Sequence, residues 1–211
     1  MSEVSDSDDL LQRYEAGDVQ VLSTLFAQHR SRLKRMVELR LDRRIWGRVD
    51  PSDVIQDAYL QATKRAPKYF RERPMPFFLW LRFLVSQRLM ELHRFHLGAQ
   101  RRDANREISL NYAPFPKANS AMLAAQLVGS LTAPSQAAVR AEQRISIQQA
   151  LDSLEPIDRE IIALRHFEQL SRSEAVEVLG IEKAAAAKRY LRAMDRLRTI
   201  LEDDTAMRKS P

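Results

Sequence analysis

Apolar side chains return at three- and four-residue steps through most of this chain, a period that suits helices and leaves little room for strands. Between Leu10 and Leu41 the series Leu11, Tyr14, Leu22, Leu25, Phe26, Leu33 and Val37 traces amphipathic stripes interrupted near Ala16-Gly17-Asp18, which predicts two helices. Aromatic residues make up 7% of the 211 residues and only 5 are glycine, and strand-like runs are few, so a β-sandwich or barrel is disfavoured. The expected fold is all-α: two small helical domains joined by a flexible linker, the C-terminal one a helix-turn-helix.

Local signals divide the chain. Asp50-Pro51-Ser52-Asp53 supplies an N-cap, a proline at the first helical position and a first-turn carboxylate, and Val54, Ile55, Ala58, Tyr59 and Ala62 continue a third helix. Prolines at 67, 74 and 76 predict that this helix ends before Pro67 and that a loop follows to Pro76. A strongly apolar helix resumes over Phe77 to His96. These segments form an N-terminal domain over residues 10–97, behind an unstructured stretch 1–9. Pro114, Pro116, Gly129 and Pro134 punctuate a weak pattern, so 98–134 reads as linker. Helical spacing returns through Val139, Ile145, Leu151 and Leu154, giving a second domain over 135–203 and an unstructured tail 204–211.

Lys and Arg number 34 against 28 Asp and Glu, a formal net charge of +6, as expected of a chain that meets a polyanion. Cysteine is absent, which removes disulfides, thiolate catalysis and Cys-based metal sites together. The first nine residues are Ser- and Asp-rich and no apolar run nears the ~20 residues of a membrane helix, so a soluble cytoplasmic protein without membrane insertion is expected.

Ser171-Arg172-Ser173-Glu174 has the form of a capping box opening a short helix, and Gly180 stands where that helix would leave through a left-handed residue. A second helix is predicted from Lys183 to about Leu201, completing a helix-turn-helix. Ala186, Tyr190, Ala193 and Leu197 share its inner face, while Lys188, Leu191, Arg192 and Asp195 fall on the outer one. Ala184 to Ala187 would let backbone approach DNA closely or touch a thymine methyl, and Lys188 or Arg189 could meet phosphate. A plain solvated basic face is the competing reading.

In the N-terminal domain Asp53 and Asp57 lie four residues apart on one helix face with Gln56 beside them. Too few further ligands accompany them for a metal, and His93 and His96 make only a pair. Capping accounts for Asp53, whereas Gln56 and Asp57 suit a docking surface. Around the prolines, Lys68, Arg71 and Arg73 interleave with Tyr69 and Phe70, and Arg82, Arg88 and Arg94 follow. Cations among aromatics suit single-stranded nucleic acid. Phe77 and Trp80 read as core, and Tyr69 and Phe70 stand between stacking and core roles.

The order of Ala16-Gly17-Asp18, Asp53-Val54-Ile55-Gln56-Asp57, Trp80-Leu81, Glu91-Leu92-His93-Arg94, a linker, Leu154-Glu155-Pro156-Ile157-Asp158-Arg159-Glu160 and the helix-turn-helix resembles the extracytoplasmic-function sigma factors of the sigma-70 family. The resemblance implies core RNA polymerase and promoter DNA as partners, leaves an anti-sigma factor open, and implies neither cofactor nor catalytic residue. It places Asp53, Gln56 and Asp57 on core polymerase, and Lys68, Tyr69, Phe70, Arg71, Arg73, Arg82, Arg88 and Arg94 on the minus-ten element. Arg172, Ser173, Lys183, Ala187, Lys188, Arg189, Leu191 and Arg192 would face the minus-thirty-five element. Gln87 and Glu91 depart from the usual Asn and Asp, and Ala187 replaces a position that is often basic. The alternative is a stand-alone helix-turn-helix regulator; it leaves the N-terminal domain unexplained.

Overall fold

A computed structural model of the chain describes residues 12–14, 16–18, 20–97, 117–131 and 137–209, and among these no strand occurs. The expected unstructured stretch 1–9 and most of the expected linker lie outside the described residues. The chain divides into two compact units, Met1–Ala104 and Asn105–Pro211. The all-α expectation with a C-terminal helix-turn-helix is met.

In the first unit α1 (Gln20–Arg40), α2 (Pro51–Glu72) and α3 (Phe77–Leu97) pack against one another. Their shared core includes Leu25, Leu33, Met36, Ile55, Ala58, Leu81, Val85 and Leu89. A short 3-10 turn, Arg43–Ile45, connects α1 toward α2; Asp42 caps it by accepting from the Arg44 amide. The start of α2 follows its local signal: the Asp50 side chain accepts from the Ser52 N–H at 2.6 Å and Pro51 occupies the first turn.

The predicted end of α2 before Pro67 is corrected, since the helix runs on to Glu72 with Pro67 inside it. A proline there removes one backbone donor and crowds the carbonyl four residues back. Burial of the next turn offsets that loss: Tyr69 and Phe70 sit in the core, with Tyr14 and Phe70 ring centroids 3.9 Å apart and Tyr69 stacked on Trp80 at 4.3 Å. The helix stops at Arg73, whose backbone turns left-handed at φ 41° just before Pro74.

In the second unit α4 (Ser120–Leu131) packs on α5 (Ala137–Asp152). Linker was expected over 120–131, and a helix stands there instead. Asn119 accepts from the Ala121 N–H at 2.9 Å, and Ala121, Leu123, Ala124 and Val128 are buried. Next come α6 (Pro156–Ile162), a π-helical turn Ala163–Phe167, α7 (Arg172–Leu179) and α8 (Lys183–Lys209). The last helix therefore extends into the expected tail. Ile145, one of the apolar residues that mark the helical spacing here, is exposed.

Candidate nucleic-acid interfaces

On α2 the side chains at 53, 56, 57 and 60 follow one another at helical spacing along one face. Asp53 and Gln56 are exposed. Asp57 is not a free acceptor, because Arg88 on α3 donates through Nε at 2.8 Å and its Nη2 stands 2.7 Å from the same carboxylate. Arg88 also reaches Glu91 at 3.2 Å. Beside this polar patch Leu60 is 52% exposed, an apolar residue on a charged face that the helical period alone could have flagged. One and a half turns further along α2, Arg65 donates to the Gln87 Oε1 at 2.9 Å.

Of the residues expected at the minus-ten element, Arg88 is half-buried in the ion pairs above and the other seven separate into two groups. Lys68, Arg71, Arg73 and Arg94 are exposed, Lys68 standing 4.0 Å from Glu72. Tyr69, Phe70 and Arg82 are buried, so their expected DNA contact is corrected. Tyr69 also donates its hydroxyl to the Met75 carbonyl at 2.9 Å, and burial pushes the phenol pKa up to about 12. Arg82 faces inward at 3% exposure because the apolar α3 lies with that face against the bundle. Conversely, Phe95 is 82% exposed beside Arg94, an aromatic surface the sequence reading left out.

The backbone around the helix-turn-helix is closely specified. Ser171 Oγ accepts from the Glu174 N–H at 3.2 Å while the Glu174 carboxylate accepts from the Ser171 N–H at 2.6 Å, a complete capping box. Gly180 closes α7 at φ 62° and ψ 34°, a conformation that disfavours side chains with a Cβ. Upstream, Arg165 donates to the Leu170 carbonyl across the turn that delivers the chain to Ser171. On α8, Ala186, Ala193 and Leu197 are buried. Lys183, Ala187, Lys188, Leu191 and Arg192 are exposed, as are Arg172 and Ser173 at the start of α7. Leu191 is 66% exposed, and Lys188 and Arg192 form no ion pair among the described residues.

Arg189 departs from this pattern. Its Nη1 donates to Glu155 at 3.0 Å and to Asp158 at 2.9 Å, which raises the guanidinium pKa through those two hydrogen bonds. A second tie joins Tyr190 to His166, hydroxyl to Nε2 at 2.8 Å with the rings stacked at 5.7 Å. Burial, with Arg165 nearby, lowers the His166 pKa below its usual value.

Among the described residues no cluster of three or more His, Cys, Asp or Glu could hold a metal, and no helix is long and apolar enough to cross a membrane.

Residues 144–197 match the family profile of sigma-70, region 4. No curated protein matches the chain by sequence. Among solved structures the chain is similar to CnrH, determined in complex with the cytosolic domain of CnrY, at 21% identity and a TM-score of 0.52, covering 92% of this chain and 96% of that one. At that identity the likeness is one of fold.

Proposed function

We propose, from the match of residues 144–197 to sigma-70, region 4, that this chain is a sigma factor that joins core RNA polymerase and directs it to promoters. One observation carries the reading: the second helix of a region 4 presents Lys188, Leu191 and Arg192 outward, the combination of cations and an apolar side chain that reads base edges in a major groove. In this reading α8 contacts the minus-thirty-five element, assisted by Lys183, Ala187, Arg172 and Ser173.

The first unit takes the other two tasks. The α2 face of Asp53, Gln56, Asp57 and exposed Leu60 docks on core polymerase, its apolar residue set among polar ones as in a small protein interface. Lys68, Arg71, Arg73 and Arg94 supply positive charge for the minus-ten strand during melting, whereas Arg88 is engaged with Asp57 and Glu91. The chain performs no chemistry of its own, since binding energy is all that strand opening asks of it. A cytoplasmic location follows from such a role. The solved complex of CnrH with a cytosolic domain supports a comparable protein partner, an anti-sigma factor, for this chain.

Gel filtration of the full chain with core RNA polymerase, followed by run-off transcription on genomic fragments, tests the reading. Co-migration with core and start sites that depend on the chain are expected. Sequence-selective DNA binding as a dimer without co-migration would assign it instead to stand-alone regulators.

A further inference from the structure

Arg189 lies on the second helix of the region 4 match, yet its half-exposed guanidinium is turned onto two carboxylates at the start of another helix. Glu155 precedes Pro156 at the start of α6 and makes no cap bond there, and Asp158 lies in the first turn of the same helix at 14% exposure. Both acids lie where a helix N-terminus favours negative charge. One nitrogen on α8 then fastens two points of α6 that lie 34 and 31 residues earlier in the chain.

The apolar seam beneath α8 gives a reason for such a fastening. It is lined by Ala186 and Ala193, with Leu197 lower down. Alanines let helices approach closely but offer short ridges, so they resist rotation of one helix about its axis poorly. A rotation of about 20° moves a side-chain tip roughly 8 Å from the axis by roughly 3 Å, beyond the tolerance of a preorganised contact. Glu155 and Asp158 also put negative charge beside Arg189, which opposes a phosphate at that spot.

We propose that Arg189 is a positioning residue for promoter reading: by clamping α8 to the start of α6 it sets the angle at which Lys188, Leu191 and Arg192 meet base edges, and it does not itself touch DNA. The proposal rests on the sigma-factor reading above and replaces the phosphate contact expected of Arg189 from its sequence position.

The test uses the full chain with core RNA polymerase added. A minus-thirty-five element is selected from a randomised duplex pool, and the ratio of affinities for the selected and a scrambled duplex is measured over a salt series. Arg189→Ala is expected to lower that ratio about tenfold without changing the salt slope, because no phosphate contact is lost. The double variant Glu155→Gln with Asp158→Asn keeps Arg189 and should lower the ratio by the same factor, and adding Arg189→Ala to it should change nothing further. Should Arg189→Ala fail to fold, the double variant carries the test alone. The clamp is overturned if the double variant keeps the parental ratio, or if Arg189→Ala flattens the salt slope by about one phosphate contact. A wild-type chain that enriches no element overturns the sigma-factor reading itself, a result distinct from either.

Discussion

Arg88 of α3 grips Asp57 of α2 at 2.7 Å, and so ties the face of α2 proposed for polymerase docking to the neighbouring helix α3. The same guanidinium holds Glu91, leaving the Arg88 charge shared between two acids on the surface of the first unit. One guanidinium against two carboxylates leaves this junction negative in balance, but Asp57 is already engaged, so the proposed docking face is distinguished by Gln56 and Leu60 more than by that carboxylate.

Replacing Gln56 and Leu60 together by Ala should weaken core polymerase binding at least tenfold while changing folding stability by less than about 0.5 kcal/mol, as exposed substitutions do. Asp57→Ala should cost about 0.2–1 kcal/mol, the range of half-exposed ion pairs. A pull-down titration beside a urea melt separates the two effects; core affinity that survives the first change would move the docking face elsewhere.

Phe70→Ala should destabilise the first unit by about 3–5 kcal/mol, because the ring fills a packed site between Tyr14 and Phe77. Permanganate footprinting of that variant at a temperature where it stays folded should show unpaired thymines as in the parent. A stable protein that has lost only strand opening would return Phe70 to the DNA.

Arg73→Gly should stabilise the chain by about 0.5–1 kcal/mol, since a residue with a Cβ now occupies φ 41° at the end of α2. If the Arg73 side chain meets the minus-ten strand, the same variant loses open-complex lifetime while gaining thermal stability. Loss of stability would mean that the side chain, whose Nε donates to the Phe70 carbonyl at 3.3 Å, matters more than the backbone angle.

His93 accepts the Asp42 N–H on its Nε2 at 3.2 Å, so the native state requires the neutral ring. Burial lowers its pKa below 6.5, Asp42 pulls it back up and Arg44 adds to the lowering. A depressed folded pKa means that the unfolded chain binds the proton first, so the contribution is complete above the unfolded value of about 6.5 and is lost as pH falls from there through the lowered folded value. Asp42, held near pKa 2 by Arg44, stays charged throughout this window. Urea midpoints at pH 7.5 and 5.5 should differ less in His93→Gln, which keeps an acceptor without a titrating ring. Equal pH dependence in parent and variant would remove His93 as the source and point to other groups such as His166, whose pKa is also lowered.

Arg192→Ala should cost about 1–3 kcal/mol on the selected upstream element and relax preference at one base pair if the side chain makes a bidentate base contact. Randomised-promoter selection reads this directly, and an unchanged preference would remove Arg192 from the base-reading set.

Residues that act on near neighbours were legible in the sequence. The capping box of Ser171 and Glu174, the left-handed exit at Gly180 and the start of α2 at Asp50 and Pro51 involve groups within four residues of one another, so their geometry is set by the backbone that carries them. The outer face of α8 was legible for the same reason, because helical period alone separates Lys188, Leu191 and Arg192 from Ala186 and Ala193. Tertiary structure decided the rest. Pro67 stays inside a helix because Tyr69 and Phe70 have rings from α3 and from Tyr14 to pack against, and no local rule contains those partners. Arg82, Arg88 and Arg189 look alike as helical cations, yet one is buried, one bridges two helices and one clamps a recognition helix. What separates them is the burial and the carboxylates that folding brings to each: sequence spacing supplies a side chain's direction on its own helix, and its partner depends on packing between segments far apart in the chain.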